Sequence, residues 1–192
     1  MNGEITPIQK RKIHHFFEVL DNNGNGVLQP DDFKDVAKKI CKKIGLDEGS
    51  RKYDSIVVQS YRIFIQILTD LEKHSELEIN AEEWSRFFEK NIIKPSRMSA
   101  APIEAYITRT VYYIFNLFDE NGDGVISREE YANMFDTYSI DKTHIDDAFN
   151  RLDSNGDQYL SKQELNFAFH EFFLSTNANS PGNWIFGEWM EE

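Results

Sequence analysis

The sequence predicts an all-α protein: four helix–loop–helix units in two pairs, packed as one compact globule and followed by a C-terminal aromatic tail. Three observations carry that prediction. Acidic twelve-residue loops at 21–32, 119–130 and 153–164 repeat one pattern of oxygen-bearing side chains. Apolar residues flank each loop at matching offsets, with the three- and four-residue spacing that lays a single stripe along a helix. The same offsets uncover a fourth copy at 72–83, where the apolar period persists although the acidic pattern is broken.

Along the chain, Ile13, Phe16, Phe17 and Leu20 lead into the first loop, and Phe33, Val36 and Ala37 lead out of it. Phe64, Ile67, Leu68 and Leu71 precede the second loop, which Trp84, Phe87 and Phe88 follow. The segment 94–102, with two prolines among small residues, reads as a linker, and Pro102 suits the first turn of the helix after it. Ile114, Phe115 and Phe118 enter the third loop, and Tyr131, Met134 and Phe135 leave it. Ala148, Phe149 and Leu152 enter the fourth, and Leu165, Ala168 and Phe169 leave it. Position 8 is apolar in every copy (Leu28, Ile79, Ile126 and Leu160), which suits a short two-stranded contact within each pair. The units therefore group as a first pair over 1–94, a second over 95–176 and a tail over 177–192. In the tail, Trp184, Ile185, Phe186 and Trp189 are too apolar to stay solvated without cost. Burying each aromatic contributes about 1.5–3 kcal/mol, so the tail is expected either to fill the groove between the pairs or to cap the adjacent helices.

With 192 residues, 15 Phe and 4 Met, the chain is long enough to bury a substantial, aromatic core. Its formal charge of −12 is unevenly placed: residues 1–96 hold 15 Lys/Arg against 16 Asp/Glu, while 97–192 hold 6 against 17. No basic footprint for nucleic acid is present. No apolar run reaches membrane-spanning length, and the first twelve residues lack the apolar core of a signal peptide. The lone Cys41 excludes an internal disulfide framework and points to a reducing, cytoplasmic setting, where it is expected to be an inert, half-buried thiol. A monomer is expected.

The loops suit a hard cation. Calcium takes six to eight oxygens, and a loop with oxygen ligands at positions 1, 3, 5, 9 and 12, a backbone carbonyl at 7 and a sharp bend at 6 supplies them. Loop three is the most complete: Asp119, Asn121, Asp123, the Gly124 bend, the Val125 carbonyl, Ser127, and Glu130, long enough to chelate through both oxygens. Loop four keeps Asp153, Asn155, Asp157, the Tyr159 carbonyl, Ser161 and Glu164, but has Gln158 at the bend. A left-handed backbone there costs a non-glycine residue about 1–2 kcal/mol, roughly a tenfold loss in affinity. Loop one has Asp21, Asn23, Asn25, Gly26, the Val27 carbonyl and Gln29, and closes with Asp32. One methylene shorter than Glu, Asp32 tends to give a single oxygen, lowering coordination toward the six that Mg²⁺ prefers. Loop two reads Glu72, His74, Glu76, Asn80 and Glu83 at the ligand positions, with Leu77 at the bend. It is expected to be strained at Leu77, to bind nothing and to serve as a scaffold for loop one. The ions implied are up to three Ca²⁺, with Mg²⁺ able to take the first loop.

Four EF-hands with a degenerate second copy and an Asp closing the first resemble the sarcoplasmic calcium-binding proteins and calexcitins, with bacterial calerythrin a relative. The ending Gly182-Asn183-Trp184-Ile185-Phe186-Gly187 is similar to the Gly-Asn-x-apolar-Phe-Gly ending of calexcitin-type sequences. The resemblance implies two EF-hand pairs face to face, acting as a cytosolic Ca²⁺/Mg²⁺ buffer or a dedicated calcium signal protein. Family members have also been linked to nucleotides, but no Gly-x-x-x-x-Gly-Lys loop stands here to hold phosphates.

The runner-up is a sensor that opens a groove to an unknown protein target. Such sensors use flexible Met side chains, whereas of four Met here only Met134 falls on a helix stripe. A second alternative is a carrier of an apolar small molecule, as in the photoproteins that share the EF-hand architecture. His14, His15, His144 and His170 fall on predicted helices and are expected to be partly exposed, and the chain ends Met190-Glu191-Glu192 rather than in proline. Lys34, Lys38, Lys39, Lys42 and Lys43 follow loop one and read as a solvated face. No nucleophile, base and oxyanion set stands at readable spacing, so an enzyme is not expected.

Overall fold

Each loop is entered and left by a helix, and in α1, α2, α3, α4, α6 and α8 side chains at the N-terminus bond the backbone of the first turn. The computed structural model describes residues 5–73, 75–90 and 101–189, so the linker expected at 94–102 lies almost wholly outside the described residues. Helix α1 (Pro7–Leu20) begins with Thr6 and Gln9 capping each other's backbone, and α2 (Pro30–Lys43) likewise takes proline at its first position. Helix α3 (Arg51–Asp70) is capped by Ser50 and α4 (Ala81–Phe88) by Asn80. Helix α5 (Ala101–Phe118) puts Pro102 in its first turn. Ser127 and Ser161 cap α6 (Arg128–Tyr138) and α8 (Lys162–Leu174), and α7 (Ile145–Leu152) precedes loop four.

The loops pair as their apolar eighth positions predict. Strand β1 (Val27–Leu28) runs antiparallel to β2 (Ile79–Asn80), with Leu28 opposite Ile79. Strand β3 (Val125–Ser127) runs antiparallel to β4 (Tyr159–Ser161), with Ile126 opposite Leu160. All four of these residues are buried.

The two pairs meet across an aromatic seam. Phe16 of α1 lies against Trp84, Phe172 and Phe173, and Phe88 of α4 stacks on Phe173 of α8 at 5.0 Å between ring centroids. The tail enters the same seam. After a short 3₁₀ turn (Pro181–Trp184), Phe186 stacks on Phe16 at 4.7 Å and meets Phe169 and Phe172 edge-on. Tyr131 donates to the Ile185 carbonyl (3.0 Å) and His15 Nε2 to that of Phe186 (2.8 Å). The tail thus touches α1, α6 and α8, so the two packing expectations merge: it fills the seam and also lies along α8.

Several local expectations change. Cys41 is fully rather than half buried, and burial pushes its thiol pKa up. His144 stands before α7 rather than on a helix. Lysines 39 and 43 do not belong to a uniformly solvated face. Lys39 Nζ donates to Asn22 (2.7 Å) and to the Thr137 carbonyl (3.2 Å), and Lys43 lies 3.7 Å from Asp136, so both reach from the first pair toward α6.

Candidate metal centres

In loops one, three and four the chain leaves a helix at position 1 and re-enters one at position 10, and two left-handed residues between them fold the segment into a ring. These are Gly24 and Gly26, Gly122 and Gly124, and Gly156 and Gln158. The strained bend expected at Gln158 is present, with φ of 71°. Leu77 in loop two is different: it is not among the left-handed residues, and its side chain is 61% exposed. Among the described residues of that loop the left-handed one is Glu72, so the predicted strain at Leu77 is absent.

Within each ring the loop's own amides aim the predicted ligands. In loop three Asp119 accepts from the Gly122 (2.8 Å) and Gly124 (3.1 Å) amides, Asn121 from Asp123 (2.8 Å), and Asp123 from Val125 (3.0 Å). Loop four repeats the scheme: Asp153 accepts from Gly156 (2.8 Å) and Gln158 (3.0 Å), Asn155 from Asp157 (2.9 Å), and Asp157 from Tyr159 (2.9 Å). In loop one Asp21 accepts from Gly26 (2.8 Å), Asn23 from Asn25 (3.0 Å), and Asn25 from Val27 (3.0 Å). Each carboxylate has about four acceptor positions, so these bonds orient it and leave lone pairs over. The position-7 residues Val27, Val125 and Tyr159 open the strands, which fixes the direction of their carbonyls.

Position 12 separates the loops. Glu130 spans its ring, accepting from the Glu120 amide (2.9 Å) with one oxygen and from Ser127 N and Oγ (2.8 Å each) with the other. Glu164 likewise spans its ring, accepting from Ser154 N and Oγ (2.9 Å each) with one oxygen and from Ser161 N (2.9 Å) and Oγ (2.8 Å) with the other. Burial alone would raise the Glu164 carboxyl, but these four donors outweigh it and hold it below the ordinary range. Asp32 cannot span. It accepts from Gln29 N (2.8 Å) and takes its other bond from the Asn23 side-chain amide (2.6 Å), while the Asn22 amide turns to the Leu20 carbonyl. Asp32 is also 1% exposed, and burial raises its pKa against the pull of those donors.

Among the described residues no three His, Cys, Asp or Glu side chains gather as a preassembled metal cluster. The donors in loops one, three and four are carboxylate, side-chain amide and backbone oxygens, joined in loops three and four by a Ser hydroxyl; all are hard, which fits calcium or magnesium and suits softer metals poorly.

Loop two is closed differently. Lys73 Nζ lies inside it, donating to the Glu78 carbonyl (2.8 Å) and to both oxygens of Glu83 (2.8 and 2.9 Å). Sequence reasoning weighed only the ligand positions and missed this residue, which stands at position 2. It also missed Lys12, buried on the apolar stripe of α1 and donating to the Glu171 and Ser175 carbonyls and to Asn183 (3.0, 2.9 and 2.7 Å). The available signal was a lysine at core spacing, four residues before Phe16.

Comparison with known proteins agrees with this geometry. The model of the EF-hand domain pair matches residues 10–136, and an EF-hand model matches 145–170. Calexcitin-1 of Caenorhabditis elegans is 25% identical over 191 residues, covering 97% of this chain and 89% of that protein. A sarcoplasmic calcium-binding protein from amphioxus superposes with a TM-score of 0.73 at 20% identity, over 96% of this chain and 99% of that one. The calcium-loaded apo form of the coelenterazine-binding protein of Renilla muelleri superposes equally well, at 0.73 and 19% identity over the same shares. With four helix–loop–helix units, two loop ribbons and hard-oxygen rings in place, the chain belongs to the EF-hand family of calcium-binding proteins and is similar over nearly its whole length to calexcitin.

Proposed function

We propose that the protein is an intracellular calcium and magnesium buffer whose loops one, three and four each take one divalent ion. The ligands assigned are Asp21, Asn23, Asn25, the Val27 carbonyl and Asp32 in loop one; Asp119, Asn121, Asp123, the Val125 carbonyl and Glu130 in loop three; and Asp153, Asn155, Asp157, the Tyr159 carbonyl and Glu164 in loop four. Loop one, closed by Asp32, is the one that Mg²⁺ holds at rest. One observation carries the buffer reading: Phe186 stacks on Phe16, so the chain's own tail occupies the apolar seam that a sensor would offer to a target helix. The monomer is the working unit.

A second reading rests on a separate feature, a cavity of about 250 Å³ beside loop one, lined by Phe33, Ile63, Ile67, Tyr113, Ile114 and Phe186. Its apolar lining supports a carrier of a small apolar molecule, although about 250 Å³ is below the usual size of a ligand pocket. One titration tests both readings: calcium is added with and without millimolar Mg²⁺ while heat, Trp fluorescence and a hydrophobic dye are followed, then repeated with an apolar ligand such as coelenterazine. A buffer gives Mg²⁺-competed heat with little dye signal. A large calcium-dependent dye signal favours a sensor, and saturable one-to-one ligand binding favours a carrier.

A further inference from the structure

We propose that the second loop is a fourth cation site filled by the chain itself: the Lys73 ammonium takes the ion's place and keeps the ribbon between loops one and two formed without calcium. The local backbone turns Lys73 inward. Helix α3 is followed, after its C-cap Leu71, by a left-handed residue, Glu72, with the Glu72 amide bonded to the Thr69 carbonyl and the Lys73 amide to that of Leu68 (3.0 Å each). That paired closure stops the helix at its C-terminus, so the next side chain folds back over the loop.

The ammonium's partners are the groups a metal would use. Counted along the loop, Glu76 is position 5, Glu78 position 7 and Glu83 position 12. Lys73 Nζ lies 3.3 Å from a Glu76 oxygen, 2.8 Å from the Glu78 carbonyl, and 2.8 and 2.9 Å from the two Glu83 oxygens. Position 12 is thus engaged through both oxygens, and the three protons of the ammonium are all used. The side chain of Lys73 is only 14% exposed and that of Glu83 26%. Burial works against both charges, yet their mutual hydrogen bonds outweigh it, holding the ammonium above its ordinary pKa and the carboxyl below. Glu72 at position 1 is drawn away, paired with Lys90 at 3.2 Å.

The consequence reaches loop one. The Glu83 oxygen held by Lys73 also accepts from the Asn80 amide (3.0 Å), and Asn80 lies in β2 opposite Val27 of β1. The lysine therefore fixes the strand that pairs with loop one, and a diffusing ion would have to displace a cation tethered at high effective concentration. Loop one meets its ion already paired, with no binding event needed in its neighbour.

The test uses the full chain, labelled for amide hydrogen exchange, in EDTA. Protection of the Leu28 and Ile79 amides is compared between wild type, Lys73→Gln, Glu76→Gln and Lys90→Gln, with Ile126 and Leu160 of the other ribbon as an internal reference. Wild type is expected to be protected without calcium; Lys73→Gln should lose about tenfold or more, since charge-assisted bonds are the strong ones. Glu76→Gln, at an exposed partner, should lose less, which provides a graded readout if the lysine variant folds poorly. Lys90→Gln removes the same charge from the loop's exterior and should leave protection unchanged. Wild-type protection retained in Lys73→Gln, or a wild-type ribbon that forms only with calcium, overturns the proposal.

Discussion

A single methylene divides the proposed ion sites. Glu130 and Glu164 reach the amide at position 2 of their rings, whereas Asp32 falls short and bonds the Asn23 amide instead. That bond ties up one Asp32 oxygen and turns the Asn23 nitrogen toward it, leaving loop one the poorest in free carboxylate oxygens. Asp32→Glu should let the carboxyl reach Asn22, raise coordination, and shift loop one toward calcium by about tenfold over magnesium. Competitive titration of the loop-one amides by NMR is the check, and an unchanged Ca²⁺/Mg²⁺ ratio removes the length argument. Gln158 is a separate case: its left-handed backbone is a folding cost that the intact ligand set of loop four carries.

At the scale of elements, the junction of α1, α8 and the tail explains both the motif at the chain's end and a limit of sequence reading. A side chain at Gly182 would meet the Ala168 carbonyl oxygen at 2.3 Å, so only glycine lets the tail lie against α8. Asn183 then accepts from Lys12, and Phe186 enters the seam. The helices were legible because period alone decides which face is buried, and the ion loops because their ligands are consecutive. Lys12 was not, because a lysine on an apolar stripe reads as the edge of the solvent face, and its acceptors lie 159 to 171 residues away. Lys73 was hidden by its position between ligand positions. Burial pushes the Lys12 ammonium down to about 8 from 10.5, against the opposing charge of Glu171. Between those two values the unfolded chain still holds the proton that the folded chain has released, so stability rises with pH across the window and is level below it. Lys12→Met has no such proton. Urea midpoints measured from pH 7.5 to 10 should show wild type gaining on Lys12→Met as pH rises, and parallel curves would mean that the amine stays charged.

For the whole molecule, the question is whether the two EF-hand pairs are held together chiefly by their own faces or by the tail between them. Both contribute, since Phe88 meets Phe173 directly while Phe186 bridges Phe16 to Phe169 and Phe172. Ending the chain after Ser180 removes the bridge and also the Asn183 oxygen, leaving the buried Lys12 ammonium one acceptor short. Losing a buried Phe costs about 3–5 kcal/mol and a buried group left unsatisfied about 1–3, together comparable with the 5–15 kcal/mol that holds a typical domain folded. The truncated protein should therefore bind hydrophobic dye strongly even when calcium-loaded. Its loss of exchange protection should also extend to α1 in the first pair, beyond α7 and α8 beside the cut. Dye binding confined to conditions without calcium, or protection lost only in α7 and α8, would make the tail a cap on one pair. Loss in both pairs at once makes it the piece that closes the seam.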